Sequence, residues 1–292
     1  MVCSPPIHEV YAAVDLLQRV GPLPFAVPHA MVQTAFPGES HHDVTCDSSG
    51  AYWAPNDDKQ NTQLDIAHHI DFADEHPYAE VIGTDLSLIQ PSFVPPNLQF
   101  VIDDACEYWI YPKSHSDYIH TRTLYGAIAD WSQFYRKALK HLRPGGFFEQ
   151  LEMSIQFRLD DGTLPDDHVL KIWSKTMIEA SEKLGKTFRI AEFAAGYMRN
   201  ASFHNVVERR FKLPVGLWSI DKKLKSLGTW NQVHCEHGIE GWAMALLTRV
   251  MKVSVIDSHY MLVPNAQGLR DPDVHAYFEV VAVYGQKPMH AI

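Results

Sequence analysis

The chain lacks any uninterrupted apolar run of the ~18 residues that a membrane helix requires, so a membrane-spanning role is not expected. Cysteine is scarce. Cys3, Cys46, Cys106 and Cys235 are the only four, and none forms a Cys-x-x-Cys pair. Free thiols in a reducing compartment are therefore expected, not a disulfide framework. The segment Met1 to Pro6 has neither the basic start nor the apolar stretch of a signal peptide. The compartment expected is the cytosol, with the nucleus as the alternative. Positive charge is also short: 25 Lys and Arg against 35 Asp and Glu give a net charge of −10. No run of five basic residues occurs. Nucleic acid and anionic membrane surfaces, both polyanions, are disfavoured as partners.

Metal motifs are missing as well. His41-His42, His68-His69 and His234-Cys235-Glu236-His237 tempt a metal reading, but none has a zinc-binding spacing. Neighbouring side chains on a helix or strand diverge, so adjacent histidines chelate poorly. No metal is expected. There is no Gly-x-Ser-x-Gly elbow, no Walker loop, no internal repeat and no low-complexity tract.

What is present is an ordinary globular composition, 46% hydrophobic and 21% charged in 292 residues, enough for a sizeable core. Residues 1–62 read as a loop-rich arm lying over the rest. Val10 to Val20 has helical spacing, and Pro22, Pro24, Pro28, Pro37 and Gly38 punctuate the stretch after it. From Ala79 the pattern changes. Ala79 to Asp85, Leu98 to Asp104 and Ser116 to His120 read as short strands. Trp131 to Leu142 has the apolar spacing of a helix and stops at Arg143-Pro144-Gly145-Gly146. Phe147 to Glu152 is a further strand. Helices are expected over Asp167–Leu184, Ile190–Asn200 and Glu240–Val253, and strands over Val206–Leu213 and Ala276–Tyr284. Strands alternating with helices indicate an α/β fold, a parallel sheet covered on both faces. Residues 63–292 form that domain, with a helical insertion at about 214–272 before the last strand.

Ligands of such sheets bind beyond the carboxyl ends of the strands. Asp85 ends one strand, and its two acceptor oxygens suit the hydroxyls of a ribose. Asp103 and Asp104 end the next and can accept from the exocyclic amine of an adenine. A turn or helix cap is the plainer role for each. Two acids at matched strand ends face one crevice, which strengthens the binding role. His120, at the exit of the third strand, is the candidate general base; a structural histidine is the alternative. Trp109, Tyr111, Trp131, Trp218 and Trp230 are aromatics able to line an apolar pocket, though core packing suits each of them.

These motifs resemble a known family. Asp71-Phe72-Ala73-Asp74-Glu75-His76-Pro77, Val81-Ile82-Gly83-Thr84-Asp85-Leu86-Ser87 and Gln90 to Asn97 are similar to stretches of the fungal LaeA-like methyltransferases. So are Asp103-Asp104-Ala105, Asp130-Trp131, Leu142 to Glu152, Asp271-Pro272, His275 to Phe278 and Tyr284 to Pro288. The resemblance implies a Rossmann-like, class I methyltransferase fold with S-adenosylmethionine as cofactor. It implies Asp85 at the ribose, and Asp104 and Ala105 at the adenine. One element of the family pattern is absent. Between Ile70 and Asp71, where a first strand and a Gly-x-Gly-x-Gly loop belong, about thirty residues are missing. A skipped exon, a genuine loss and replacement by the N-terminal arm all account for the gap. Phe25-Ala26-Val27 is the apolar candidate in that arm. The expected function is a methyltransferase-like protein of secondary metabolism. Its binding of S-adenosylmethionine is expected to be impaired, leaving an accessory role on a biosynthetic intermediate. The alternatives are an active methyltransferase of a small aromatic or quinone-like metabolite, and a LaeA-like regulator working through protein partners. A small-molecule metabolite is the expected partner, with a protein partner or a second copy of the chain also compatible.

Overall fold

The computed structural model describes residues 29–34, 72–85, 94–162 and 165–290. Its strands are β1 (His29–Thr34), β2 (Glu80–Asp85), β3 (Leu98–Ile102), β4 (Ser116–Arg122), β5 (Leu142–Met153), β6 (His204–Pro214) and β7 (Tyr277–Gln286). They make a seven-stranded sheet in the order β3-β2-β1-β4-β5-β7-β6. β1 to β5 run parallel, and β7 is antiparallel to both of its neighbours. The helices are α1 (Trp131–His141), α2 (Val169–Leu184), α3 (Ile190–Asn200), α4 (Lys222–Ala245) and α5 (Val255–Arg270), and a π-helical turn, Leu246–Val250, follows α4. Order and direction together are those of a class I methyltransferase sheet.

The slot between β2 and β4, expected to lack its strand, is occupied. β1, from the N-terminal arm, fills it: Ala30 pairs with Val81 on one side and Tyr118 on the other, and Met31 with Ile82 and Ile119. The expectation of a missing first strand is corrected accordingly. The physical reason is the backbone: an empty slot would bury two unpaired strand edges, and each unpaired donor or acceptor is costly. The segment is hard to see in sequence. His29-Ala30-Met31-Val32-Gln33-Thr34 is short and polar at both ends, and it starts directly after Pro28. Phe25-Ala26-Val27 and the helical spacing of Val10 to Val20 lie outside the described residues.

α1 forms where the apolar spacing placed it. The Asp130 carboxylate caps it by accepting from the Gln133 amide at 2.8 Å, and its buried face is Trp131, Phe134, Tyr135 and Ala138. After α1 the chain re-enters the sheet sooner than Phe147, because β5 begins at Leu142, paired with Ser116. Gly145 has φ 79°, and a Cβ at Gly146 would stand 3.0 Å from the Arg143 and Asp117 carbonyl oxygens. Glycine is required at both positions for this sharp return.

α1 and α3 pack on one face of β4, β5 and β7, around Ile119, Phe148 and Val281. α2, α4 and α5 build a second core around Met153, Leu213 and Phe278. α4 and α5 lie in the insertion between β6 and β7, and α4 spans 222–245, starting well ahead of the helix expected at Glu240–Val253.

Candidate functional site

Register places the carboxyl ends of the parallel strands at one level. Gln33 pairs with Thr84, Asp85 with Ile102, Thr34 with Arg122, and Arg122 with Leu151. Thr34, Asp85, Asp103 and Met153 therefore share one edge of the sheet, where doubly wound folds hold ligands. Asp85 is the last residue of β2 and Asp103 the first beyond β3.

At the end of β3 the two acids do different things. The Asp104 carboxylate turns onto its own loop and accepts from the Cys106 amide at 2.7 Å. That is the turn role open to Asp at such a position. Asp103 Oδ1 accepts from the Asp104 amide at 2.9 Å, while its Oδ2 is buried with no partner among the described residues. Burial holds the Asp103 carboxyl above its ordinary pKa, and the charge of Asp104 adds to the effect. The Ala105 carbonyl accepts from Trp109 Nε1 and from Lys137 Nζ, each at 3.0 Å. Lys137 thus staples this loop to α1. Tyr111 returns to the same edge, its hydroxyl 3.0 Å from Thr84 Oγ1 at the end of β2, and burial pushes its phenol pKa up.

His120 lies elsewhere. It sits two residues inside the end of β4, paired with Val32 and Glu149, and is buried. Its Nδ1 is 3.1 Å from Glu149 Oε2 and 3.3 Å from the Tyr118 hydroxyl, which donates to the same carboxylate oxygen. This cluster faces the helical turn at residues 72–75, where Phe72 stacks on Tyr118 with ring centroids 5.6 Å apart. His120 is not brought together with the acids at the strand ends.

A small apolar cavity, with room for about one water, lies at the ends of β4 and β5. Met153 ends β5, Ile155 follows it, and Tyr125 comes from the loop after β4. Trp173 and Met177 of α2, Phe188, Trp242 of α4 and Phe278 of β7 complete the wall. None of the eight carries a charge. The aromatics picked from sequence as candidate pocket residues do not line it. Trp131, on α1, and Trp109 are buried instead in the core around that helix. Nothing in the sequence separates cavity residues from core residues, because both occupy apolar positions at helical or strand spacing.

The loop bordering the cavity is held by a buried acid. Glu152 Oε1 accepts from the Leu124 amide at 2.9 Å and from Gln150 Nε2 at 2.8 Å, and its Oε2 accepts from the Tyr125 amide at 3.3 Å. The Tyr135 hydroxyl donates to Gln150 Oε1 and extends the network to α1. Burial raises the Glu152 carboxyl to about 7 against these donors.

S-adenosylmethionine, the cofactor that the family resemblance implies, would set its adenosine half at this edge. Asp85 stands at the end of β2, and the buried Asp103 Oδ2 offers an acceptor where a donor is required. After Thr34 the sequence runs Ala35-Phe36-Pro37-Gly38, not the Gly-x-Gly-x-Gly of the family pattern. No group of three or more His, Cys, Asp or Glu among the described residues can hold a metal ion. No helix among them is long and apolar enough to cross a membrane.

No protein-family model matches the chain. Relatives are nonetheless clear. The chain is 32% identical over 279 residues to the methyltransferase pytC of Aspergillus terreus, covering 82% of this chain and 84% of that protein. It is 31% identical over 225 residues to the secondary metabolism regulator LAE1 of Cochliobolus heterostrophus, covering 75% and 72%. Among solved structures, phosphoethanolamine N-methyltransferase 2 of Haemonchus contortus in complex with S-adenosyl-L-methionine is similar at a TM-score of 0.49 and 14% identity, over 95% of this chain and 52% of that one.

Proposed function

This chain belongs to the LaeA-like family of fungal secondary-metabolism methyltransferases, and from that premise we propose that it binds a small apolar biosynthetic intermediate and has lost firm hold of S-adenosylmethionine. One observation carries this reading. β1 restores the central strand, yet Ala35-Phe36-Pro37-Gly38 follows it in place of a Gly-x-Gly-x-Gly turn. A carboxylate at the ribose holds little when the other half of the cofactor has no anchor. The work left to this chain is to seat the intermediate against α2 and α4, exclude water from it and fix its orientation.

The test is calorimetric titration of the purified chain with S-adenosylmethionine. The expected outcome is no saturation at micromolar concentrations. A dissociation constant in the low micromolar range would sink the proposal. A second reading has its own support in the open acceptor of Asp103: an active methyltransferase of the same class of intermediate. The same titration separates the two.

A further inference from the structure

We propose that β6 pairs antiparallel with β6 of a second copy of this chain, about a two-fold axis at Arg209, so that two seven-stranded sheets join edge to edge. This contact is separate from the strand ends that hold the acids, and it does not depend on whether a cofactor binds.

Three observations converge. The first is an open edge. β6 ends the sheet and, among the described residues, pairs with β7 alone. Its other side presents a row of backbone donors and acceptors. At 11 residues it is about twice the usual strand length, whereas edges that avoid pairing are kept short. The second is the order of the charges. On one face, Glu279 Oε2 stands 3.3 Å from Arg158 Nε and 3.0 Å from Arg210 Nη1, and Arg210 Nε stands 2.6 Å from Glu208 Oε1. Charges on an edge usually keep other strands away. Here their order is self-complementary. A two-fold axis normal to the sheet keeps each face on its own side, so residues equally far from the axis stand opposite one another. Centred on Arg209, it sets Glu208 against Arg210 of the second copy, and Arg210 against its Glu208. Opposite charges so placed attract. Each ion-pair chain ends on Glu208, and the two chains run on into one another. The third is the apolar pair on the other face. Val207 is 36% exposed, and Phe211 is only half-buried against the second core. The same register sets each of them against the other across the axis. The cost falls on Arg209, which meets its own counterpart. Centring on Arg210 instead would set that residue against itself and call on Lys212, which Asp160 and the Tyr277 ring already hold. The irregularity between His204 and Val207 marks where regular pairing stops. One strand makes a small contact, so the dimer is weak and reversible.

The test is sedimentation velocity on the full chain over a range of concentrations. The wild-type chain is expected to pass reversibly from monomer to dimer at micromolar concentrations. Glu208→Arg and Arg210→Glu should each weaken self-association about tenfold, because each turns two attractive pairs into repulsive ones. Mixed in equal amounts, the two variants again place opposite charges at both pairs, and a heterodimer should form with about the wild-type affinity. Mixing cannot rescue a role that Glu208 and Arg210 play within one chain. If either variant fails to fold, hydrogen exchange of the wild-type chain decides: the amides of 207–211 should exchange more slowly as concentration rises, and unchanged rates overturn the inference. A chain that stays monomeric, its β6 edge left to solvent or to a different protein, also overturns it. So does a dimer indifferent to both substitutions, or a mixture that associates no better than its components.

Discussion

Glu152 is a carboxyl buried at the end of β5 and met by three donors. Its folded pKa, about 7, lies above the ordinary 4.5. The folded state therefore keeps a proton that the unfolded chain releases. Its contribution is full below about pH 4.5, and stability falls as pH rises from there to about 7. The total loss is on the order of 3 kcal/mol. Glu152→Gln removes this dependence, and thermal melts of the variant should be flatter than wild type between pH 5 and 7. Equal slopes would mean that Glu152 is ionised throughout. Asp85→Ala tests a different residue. If the cofactor is no longer held, product profiles from a strain carrying the substitution should match wild type. A methylated product lost at normal protein level would reverse that conclusion. Asp103 was legible in sequence because an acid at a strand end is a conspicuous break in an apolar run. That Asp104 and not Asp103 would turn back on its own loop was not legible, since both fit either role. Trp173 and Met177 were invisible as cavity residues, because they share helical spacing with the packed core of α2.

β1 is flanked by β2 and β4, so every backbone donor in it faces a neighbouring strand. Proline removes such a donor. Val32→Pro should lower stability by roughly 3 kcal/mol or more, enough to abolish soluble expression, with Val32→Ile, which keeps the backbone donor, as the control. Soluble yield and melting temperature of the two variants report the difference; a well-folded proline variant would show that β1 is not the central strand. α4 carries a second test. Gly228 in this helix accepts from the Gly216 amide at 2.9 Å, and a Cβ at 228 would come within 2.1 Å of the Gly216 oxygen. Glycine to alanine in a helix normally stabilises by about 1 kcal/mol. Here Gly228→Ala should lower the melting temperature instead. A rise would mean that α4 can move off the end of β6. α1 and α2 were readable because strong apolar periodicity coincides with cap residues, Asp130 before α1 and Gly185 after α2, whereas α3 was readable from periodicity alone. β1 was not, since its place is decided by the two strands that need a partner and not by its own side chains.

At the scale of the whole molecule, the sheet divides its carboxyl edge. The acids stand at the ends of β2 and β3, and the apolar cavity at the ends of β4 and β5, with β1 between them. Narrowing the cavity with Ile155→Phe should change the pattern of pathway products without lowering the amount of folded protein. Liquid chromatography of extracts, with protein level checked alongside, measures this; an unchanged pattern would place the substrate elsewhere.

The position of β1 also bears on how the chain reaches its native state. Residues 35–79 separate β1 from β2, and β4 comes later still. On the ribosome, β1 is made first and must wait for both of its partners. Closing such long loops is slow, and contacts between distant segments delay folding. Until β1 arrives, β2 and β4 expose facing edges able to recruit any extended strand, including one from a neighbouring nascent chain. A peptide spanning residues 29–34, supplied separately to a chain that begins after it, has the same edges to dock on.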